Sequence, residues 1–122
     1  MKRVFICSPF KALTPERQAL YIEYAKEKTL EAIKQGYAPY TPHLYLTSVL
    51  NDNDPYARHK GFQIGYEFMK VCDEIWVCAR YDVSNGMRKE VGTAGRLGLK
   101  IVIKDKKVPY IKAISPSWED PK

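Results

Sequence analysis

Short apolar runs alternate with longer amphipathic stretches along the chain. Val4-Phe5-Ile6-Cys7 is a continuous apolar run closed by Ser8-Pro9, and it reads as a buried strand. Thr14-Pro15 opens a helix: the threonine caps free backbone N–H groups, and proline at the first helical position lacks the N–H that would be orphaned there. This helix is predicted to run to about Gln35 and to stop at Gly36, with Leu20, Ile22, Ala25, Thr29, Ala32 and Ile33 as its inner stripe. Tyr37 to Tyr40 is a second short strand. Leu44 to Leu50 reads as a helical turn or short helix, and Asn51-Asp52-Asn53-Asp54-Pro55 as a polar turn.

A second long helix is predicted over Tyr56 to Val71, and a third strand over Glu74 to Cys78. Ser84 caps a helix that runs to about Leu97 and ends at Gly98. Ile101 to Ile103 is a fourth strand, and Val108 to Ile111 a candidate fifth. Strands that alternate with helices imply a parallel sheet with right-handed crossovers. The expectation is an α/β fold: a doubly wound parallel sheet of four to five strands in a flavodoxin-like three-layer sandwich. It occupies one domain over residues 1–112, with 113–122 as a C-terminal tail. In such a sheet the ligand crevice lies at the carboxyl ends of the strands. Ser8-Pro9-Phe10, Pro42-His43 and Ala79 through Met87 should therefore gather on one edge.

Composition narrows the class. With 122 residues, 45% apolar and 28% charged, the chain can bury a core without disulfides or a structural metal. No apolar run approaches the ~20 residues of a membrane span, and the first apolar run is too short for a signal peptide, so the chain reads as cytoplasmic. Cys7, Cys72 and Cys78 are odd in number and match no zinc spacing; they read as reduced core thiols, and neither metal nor cofactor is expected. The net charge of +6 raises nucleic-acid binding as a class, but the cations are dispersed along the chain, as on a solvated surface.

The residues able to carry chemistry centre on Ser84-Asn85-Gly86-Met87-Arg88-Lys89-Glu90. The helix stripe Met87, Val91, Ala94 puts Glu90 on its flank. Near the helix start the dipole should keep that carboxylate ionised beside an apolar wall, as suits a nucleophile or a ligand for sugar hydroxyls. The N–H groups of Asn85, Gly86 and Met87 could receive an anion, with Gly86 leaving room for it. A plain capped helix start with a solvent-facing Glu is the bland alternative. Ser8, Pro9 and Phe10 leave the first strand, where a hydroxyl and a stacking ring could meet a ligand, or where a strand simply ends. His43 is an acid–base or contact candidate against a structural role, and Arg58 a phosphate clamp against a basic helix start. Asp73 and Glu74 fall at the amino end of the third strand, away from the expected crevice.

Taken together, Phe5-Ile6-Cys7-Ser8-Pro9, Gly36 with Pro39, Pro42-His43-Leu44-Tyr45, Arg58 with Gly61, Cys72-Asp73-Glu74-Ile75-Trp76 and the Ser84–Glu90 segment resemble a group of short bacterial and phage proteins. These are distant relatives of the nucleoside 2-deoxyribosyltransferases, and the match covers about residues 3 to 103. The resemblance implies that Glu90 attacks the anomeric carbon of a deoxyribosyl group. It further implies that Ser84 and Asn85 hold a sugar hydroxyl or 5′-phosphate, and that the first-strand loop holds base or sugar. The transferases place their Glu directly after the Gly-Met pair, whereas Arg88 and Lys89 intervene here, a difference of about 200° around a helix. A Gly-x-x-x-Glu start also resembles relatives that release cytokinin bases from ribose monophosphate. The transferases carry an Asp before the third strand; Glu67 is the nearest substitute. The relatives are oligomers, so a homodimer or larger assembly is expected. The function expected is cleavage of the N-glycosidic bond of a nucleoside or nucleoside monophosphate, or transfer of its deoxyribosyl group. The alternatives are a non-catalytic module binding a nucleotide or an ADP-ribose-like signal in the same crevice, and a nucleic-acid accessory protein.

Overall fold

The computed structural model describes residues 1–106. The candidate strand Val108–Ile111 and the tail 113–122 lie outside the described residues. The elements in order are β1 (Arg3–Cys7), α1 (Pro15–Lys34), β2 (Ala38–Tyr40), α2 (Pro42–Tyr45), a 3-10 turn (Leu46–Ser48), α3 (Pro55–Met69), β3 (Glu74–Cys78), α4 (Asn85–Arg96) and β4 (Lys100–Lys104). The four strands form one parallel sheet in the order β2-β1-β3-β4. This is the expected α/β, flavodoxin-like arrangement. The chain winds outward from β1 to β2, then crosses back to β3 on the other side of β1. Loops leaving β1 and β3 diverge at that switch point and open a crevice.

Local chemistry starts and stops the helices as the sequence implies. Thr14, Asp54 and Ser84 accept hydrogen bonds from Arg17, Tyr56 and Met87 N–H at the starts of α1, α3 and α4. Gly36 and Gly98 follow α1 and α4 with φ of 88° and 82°, a geometry that suits glycine. One sheet face buries Phe5, Cys7, Ile75 and Val77 against Met69 of α3 and Met87, Val91 and Ala94 of α4. The other buries Val4, Ile6, Trp76 and Cys78 against Tyr24 and Ala32 of α1. Cys7 and Cys78 are buried free thiols, and Cys72 is a half-buried one.

The inner face of α1 differs from the expected stripe. Tyr21, Tyr24, Ala25, Lys28 and Ala32 are buried, whereas Leu20 and Ile33 are exposed. The face is turned because Lys28 is buried in an ion-pair cluster with Glu31 and Asp105, at 2.8 and 2.7 Å, and Tyr24 donates to Asp105 at 2.8 Å. A polar side chain with partners on another element displaces the more apolar residues, which periodicity alone does not foresee. No described helix is long and apolar enough to cross a membrane.

Candidate functional site

The carboxyl ends of the strands carry a chamber of about 210 Å³ lined by Phe10, Lys11, His43, Asp52, Arg58, Phe62, Ser84, Asn85, Gly86, Met87 and Glu90. The segments after β1, β2 and β3 thus meet on one edge, as strand topology requires. Phe10, His43, Arg58, Glu90 and the whole Ser84–Met87 turn are brought together. Ser8 and Pro9 are buried behind this wall, and neither lines the chamber. The Ser8 hydroxyl has no hydrogen-bond partner among the described residues. Glu67 is not brought in: its side chain is 67% exposed and pairs with Lys70 at 2.9 Å. Its position on α3 points it to solvent because Gly65 and Met69 hold the buried face.

The turn before α4 is rigid. The Ser84 hydroxyl accepts from Met87 N–H at 3.2 Å, so the cap occupies one of the donors expected to be open. Gly86 is required by close packing: a Cβ there would stand 3.3 Å from the Arg58 guanidinium and 3.4 Å from the Phe62 ring. Arg58 in turn pairs with Asp52 at 3.2 Å and stacks over Phe62, with its guanidinium carbon 5.7 Å from the ring centre. Phe10 stacks on His43 with ring centres 5.2 Å apart. Burial pulls the His43 imidazole down to about 4, and its Nδ1 has no partner among the described residues. It is a neutral ring near pH 7, not a cation.

Glu90 sits where the chamber meets two further cavities. One, of about 420 Å³, is a groove between α3 and α4; the other, of about 50 Å³, lies beneath α2 and the 3-10 turn. Glu90 and Phe62 line all three. The Glu90 Oε1 is sealed from solvent and has no hydrogen-bond partner among the described residues. Burial pushes its carboxyl up to about 7, against the opposing pull of the Cys7 thiol and the Arg58 charge. The expectation of a dipole-stabilised, fully ionised carboxylate is corrected here. Glu90 is the sixth residue of α4, past the first turn where the dipole acts, and desolvation dominates. Cys7 Sγ reaches the Met87 carbonyl at 3.7 Å, and its own thiol is raised well above the usual range by burial and by Glu90. It stays protonated beside the carboxylate.

Sequence reasoning missed Asp52, Phe62, Lys11 and Tyr40. Asp52 was concealed in a loop read only for its turn chemistry. Phe62 had a usable signal, since it lies four residues after Arg58 on the same helical face. The Tyr40 hydroxyl is buried without a partner among the described residues and is raised to about 12 by burial, with Tyr45 and then Glu90 adding to the shift. No group of three or more His, Cys, Asp or Glu among the described residues could hold a metal ion.

Residues 2–104 match the DUF7768 family, a domain of unknown function. The chain belongs to that family. No curated protein matches it by sequence. Solved structures share the fold of this DUF7768 domain at low identity. A 2-deoxyribosyltransferase from the psychrotolerant bacterium Bacillus psychrosaccharolyticus superposes with a TM-score of 0.66 at 13% identity, over 97% of this chain and 88% of that one. The CMP N-glycosidase BcmB of Clostridium botulinum gives 0.57 at 18% identity, over 93% and 80%. A 2-deoxyribosyltransferase from Leishmania mexicana gives 0.56 at 16%, over 84% of this chain and 63% of that one.

Proposed function

We propose that this DUF7768 domain cleaves the N-glycosidic bond of a nucleoside or nucleoside monophosphate, with Glu90 as nucleophile, and passes the sugar to water or to another base. The observation that carries the reading is the Glu90 Oε1, sealed from solvent and without a hydrogen-bond partner among the described residues, in the lining of the chamber. A buried polar atom without a partner is rare enough to call for an explanation, and a reacting ligand supplies one. The fold shared with proteins named for deoxyribosyl transfer and CMP N-glycosidic cleavage supports the same class.

In this reading one oxygen of ionised Glu90 attacks the anomeric carbon as the bond from that carbon to the base nitrogen breaks. The base leaves with the bonding pair and takes up a proton from solvent, which the attacking water or second base later returns, and a glycosyl ester of Glu90 remains. Water, or the nitrogen of a second base, then attacks the same carbon and frees the carboxylate. Asp52, the other carboxylate of the chamber, stays tied to Arg58. Neutral His43 and Phe10 offer a flat stacked pair for a base. The N–H groups of Asn85 and Gly86, which precede the hydrogen-bonded part of α4, would meet an anionic group on the sugar.

Because only ionised Glu90 attacks, kcat/KM should rise with pH through a midpoint near 7. Incubation with a panel of deoxynucleosides, ribonucleosides and their monophosphates, with free base measured by chromatography, tests the reading. Base release by the wild type and none by Glu90→Gln is expected. Nucleotide binding with no release from any substrate overturns it, and leaves the non-catalytic binding module. A carboxyl raised to about 7 also favours that second reading, since in its protonated form it is a hydrogen-bond donor to a ligand.

A further inference from the structure

The α3–α4 groove stands on the opposite side of Glu90 and Phe62 from the Ser84 turn. Glu90 and Phe62 line both it and the chamber, whereas Ser84, Asn85, Gly86 and His43 line the chamber alone. At about 420 Å³ it has twice the chamber's volume. Its lining combines cations with rings: Arg88, Lys89 and Arg96 from α4, with His59, Phe62 and Tyr66 from α3. Among the described residues, no carboxylate forms an ion pair with any of these four basic side chains. Several other cations are neutralised: Lys70, Arg80 and Lys104 have acidic partners. Among the described residues other cations, such as Lys11 and Lys60, also lack an ion pair; those of the groove are set apart by standing beside Glu90.

We propose that this groove binds a second, phosphorylated nucleoside unit, so that the ligand is of dinucleotide size: one nucleoside in the chamber and its phosphate-linked partner between α3 and α4. Guanidinium groups match phosphate oxygens in pairs, and Arg88 and Arg96 both line the groove. Aromatic rings offer stacking surface for any base: Tyr66 lines the groove with Lys70 over its ring, while Phe62 is already faced by Arg58 and Lys89. Lys89 lies 5.5 Å from the Phe62 ring centre, which holds a cation at the boundary the linking phosphates would cross. A lone phosphate would fill little of the groove, and an apolar ligand would leave its cations without partners. The proposal rests on the chamber being the nucleoside site.

The test compares ligands with the intact chain by calorimetry, using Glu90→Gln as host so that turnover does not intervene. The probes are nucleoside 5′-monophosphates of each base and the matching dinucleoside pyrophosphates. The expected result is that at least one pyrophosphate binds tenfold or more tightly than its monophosphate, and that added salt reduces this advantage. In Arg88→Gln/Arg96→Gln, both on the exposed side of α4, the advantage should vanish while monophosphate affinity holds within twofold. Equal affinity for the two ligand classes, an advantage that survives in the double variant, or no binding of either overturns the proposal. So does a short single-stranded oligonucleotide that binds tighter than every pyrophosphate, which would make the groove a nucleic-acid track. Tight dinucleotide binding with no base release by the wild type would overturn the glycosidic reading alone.

Discussion

Two glutamates with oxygens shielded from solvent, at opposite ends of the parallel strands, meet opposite fates. Glu74, at the amino end of β3, is 2% exposed and fully engaged: the Tyr37 hydroxyl donates to both its oxygens at 3.1 and 3.0 Å, Trp76 Nε1 donates at 3.2 Å, and Lys2 stands 3.7 Å away. Glu90, beyond the carboxyl ends, has a sealed oxygen with nothing to bond. The first pattern fixes structure, because each buried donor and acceptor answers another. The second leaves a polar atom unsatisfied at a cost to stability, which under the proposed function a ligand relieves. The parallel sheet explains the division, since loops diverge only at the carboxyl edge and leave room there.

The contrast is sharpest in activity. Glu90→Gln is isosteric and should lower base release on the order of 10³-fold or more while leaving the fold intact. Glu74→Ala should keep turnover per folded molecule near wild type but lose about 2–3 kcal/mol of stability in urea unfolding, because Tyr37 and Trp76 lose their acceptor. Loss of activity in Glu74→Ala at full folding would break the division of roles.

Stability against pH gives the next largest effect. The folded-state carboxyl of Glu90 lies at about 7, above the ordinary value of 4.5, so the folded protein holds that proton more tightly than the unfolded chain. Its contribution is present in full below about pH 4.5 and is lost as pH rises through about 7. Glu90→Gln, which mimics the protonated acid, should therefore be more stable than wild type at pH 8 by about 2–3 kcal/mol. The difference should fade toward pH 4; a constant difference across that range contradicts the assignment. Smallest of all, Glu67→Gln should change both stability and turnover little, within about 0.5 kcal/mol, since its partner Lys70 is an exposed i,i+3 neighbour. A large loss of activity there would restore the role the resemblance implied.

The strands, helix starts and strand-end clustering were legible because each depends on local chemistry: apolar runs, Ser/Thr caps, Pro at first turns and Gly at helix ends. The place of the Ser84–Glu90 segment at the strand-end chamber was legible for the same reason. What escaped depended on partners distant in sequence. The inward turn of α1 follows from Lys28 meeting Asp105, and the elevated carboxyl of Glu90 from desolvation that outweighs the pull of Cys7 and Arg58, neither visible in a helical wheel. Glu67 entered as a substitute for the Asp that the resemblance implies, but the face of α3 that packs inward is set by Ala57, Gly65 and Met69. Asp52 and Phe62 reach the chamber because α3 and its preceding loop fold back over α4.

The central claim is that Glu90 bonds to the sugar. Intact-mass spectrometry after incubation with a 2-fluoro-substituted nucleoside, which slows breakdown of a glycosyl ester, tests it directly. The account predicts a mass increase equal to the fluorinated glycosyl group, mapped by peptide analysis to Glu90 and absent from Glu90→Gln. Base release without any adduct at Glu90, or an adduct on another residue, would contradict it.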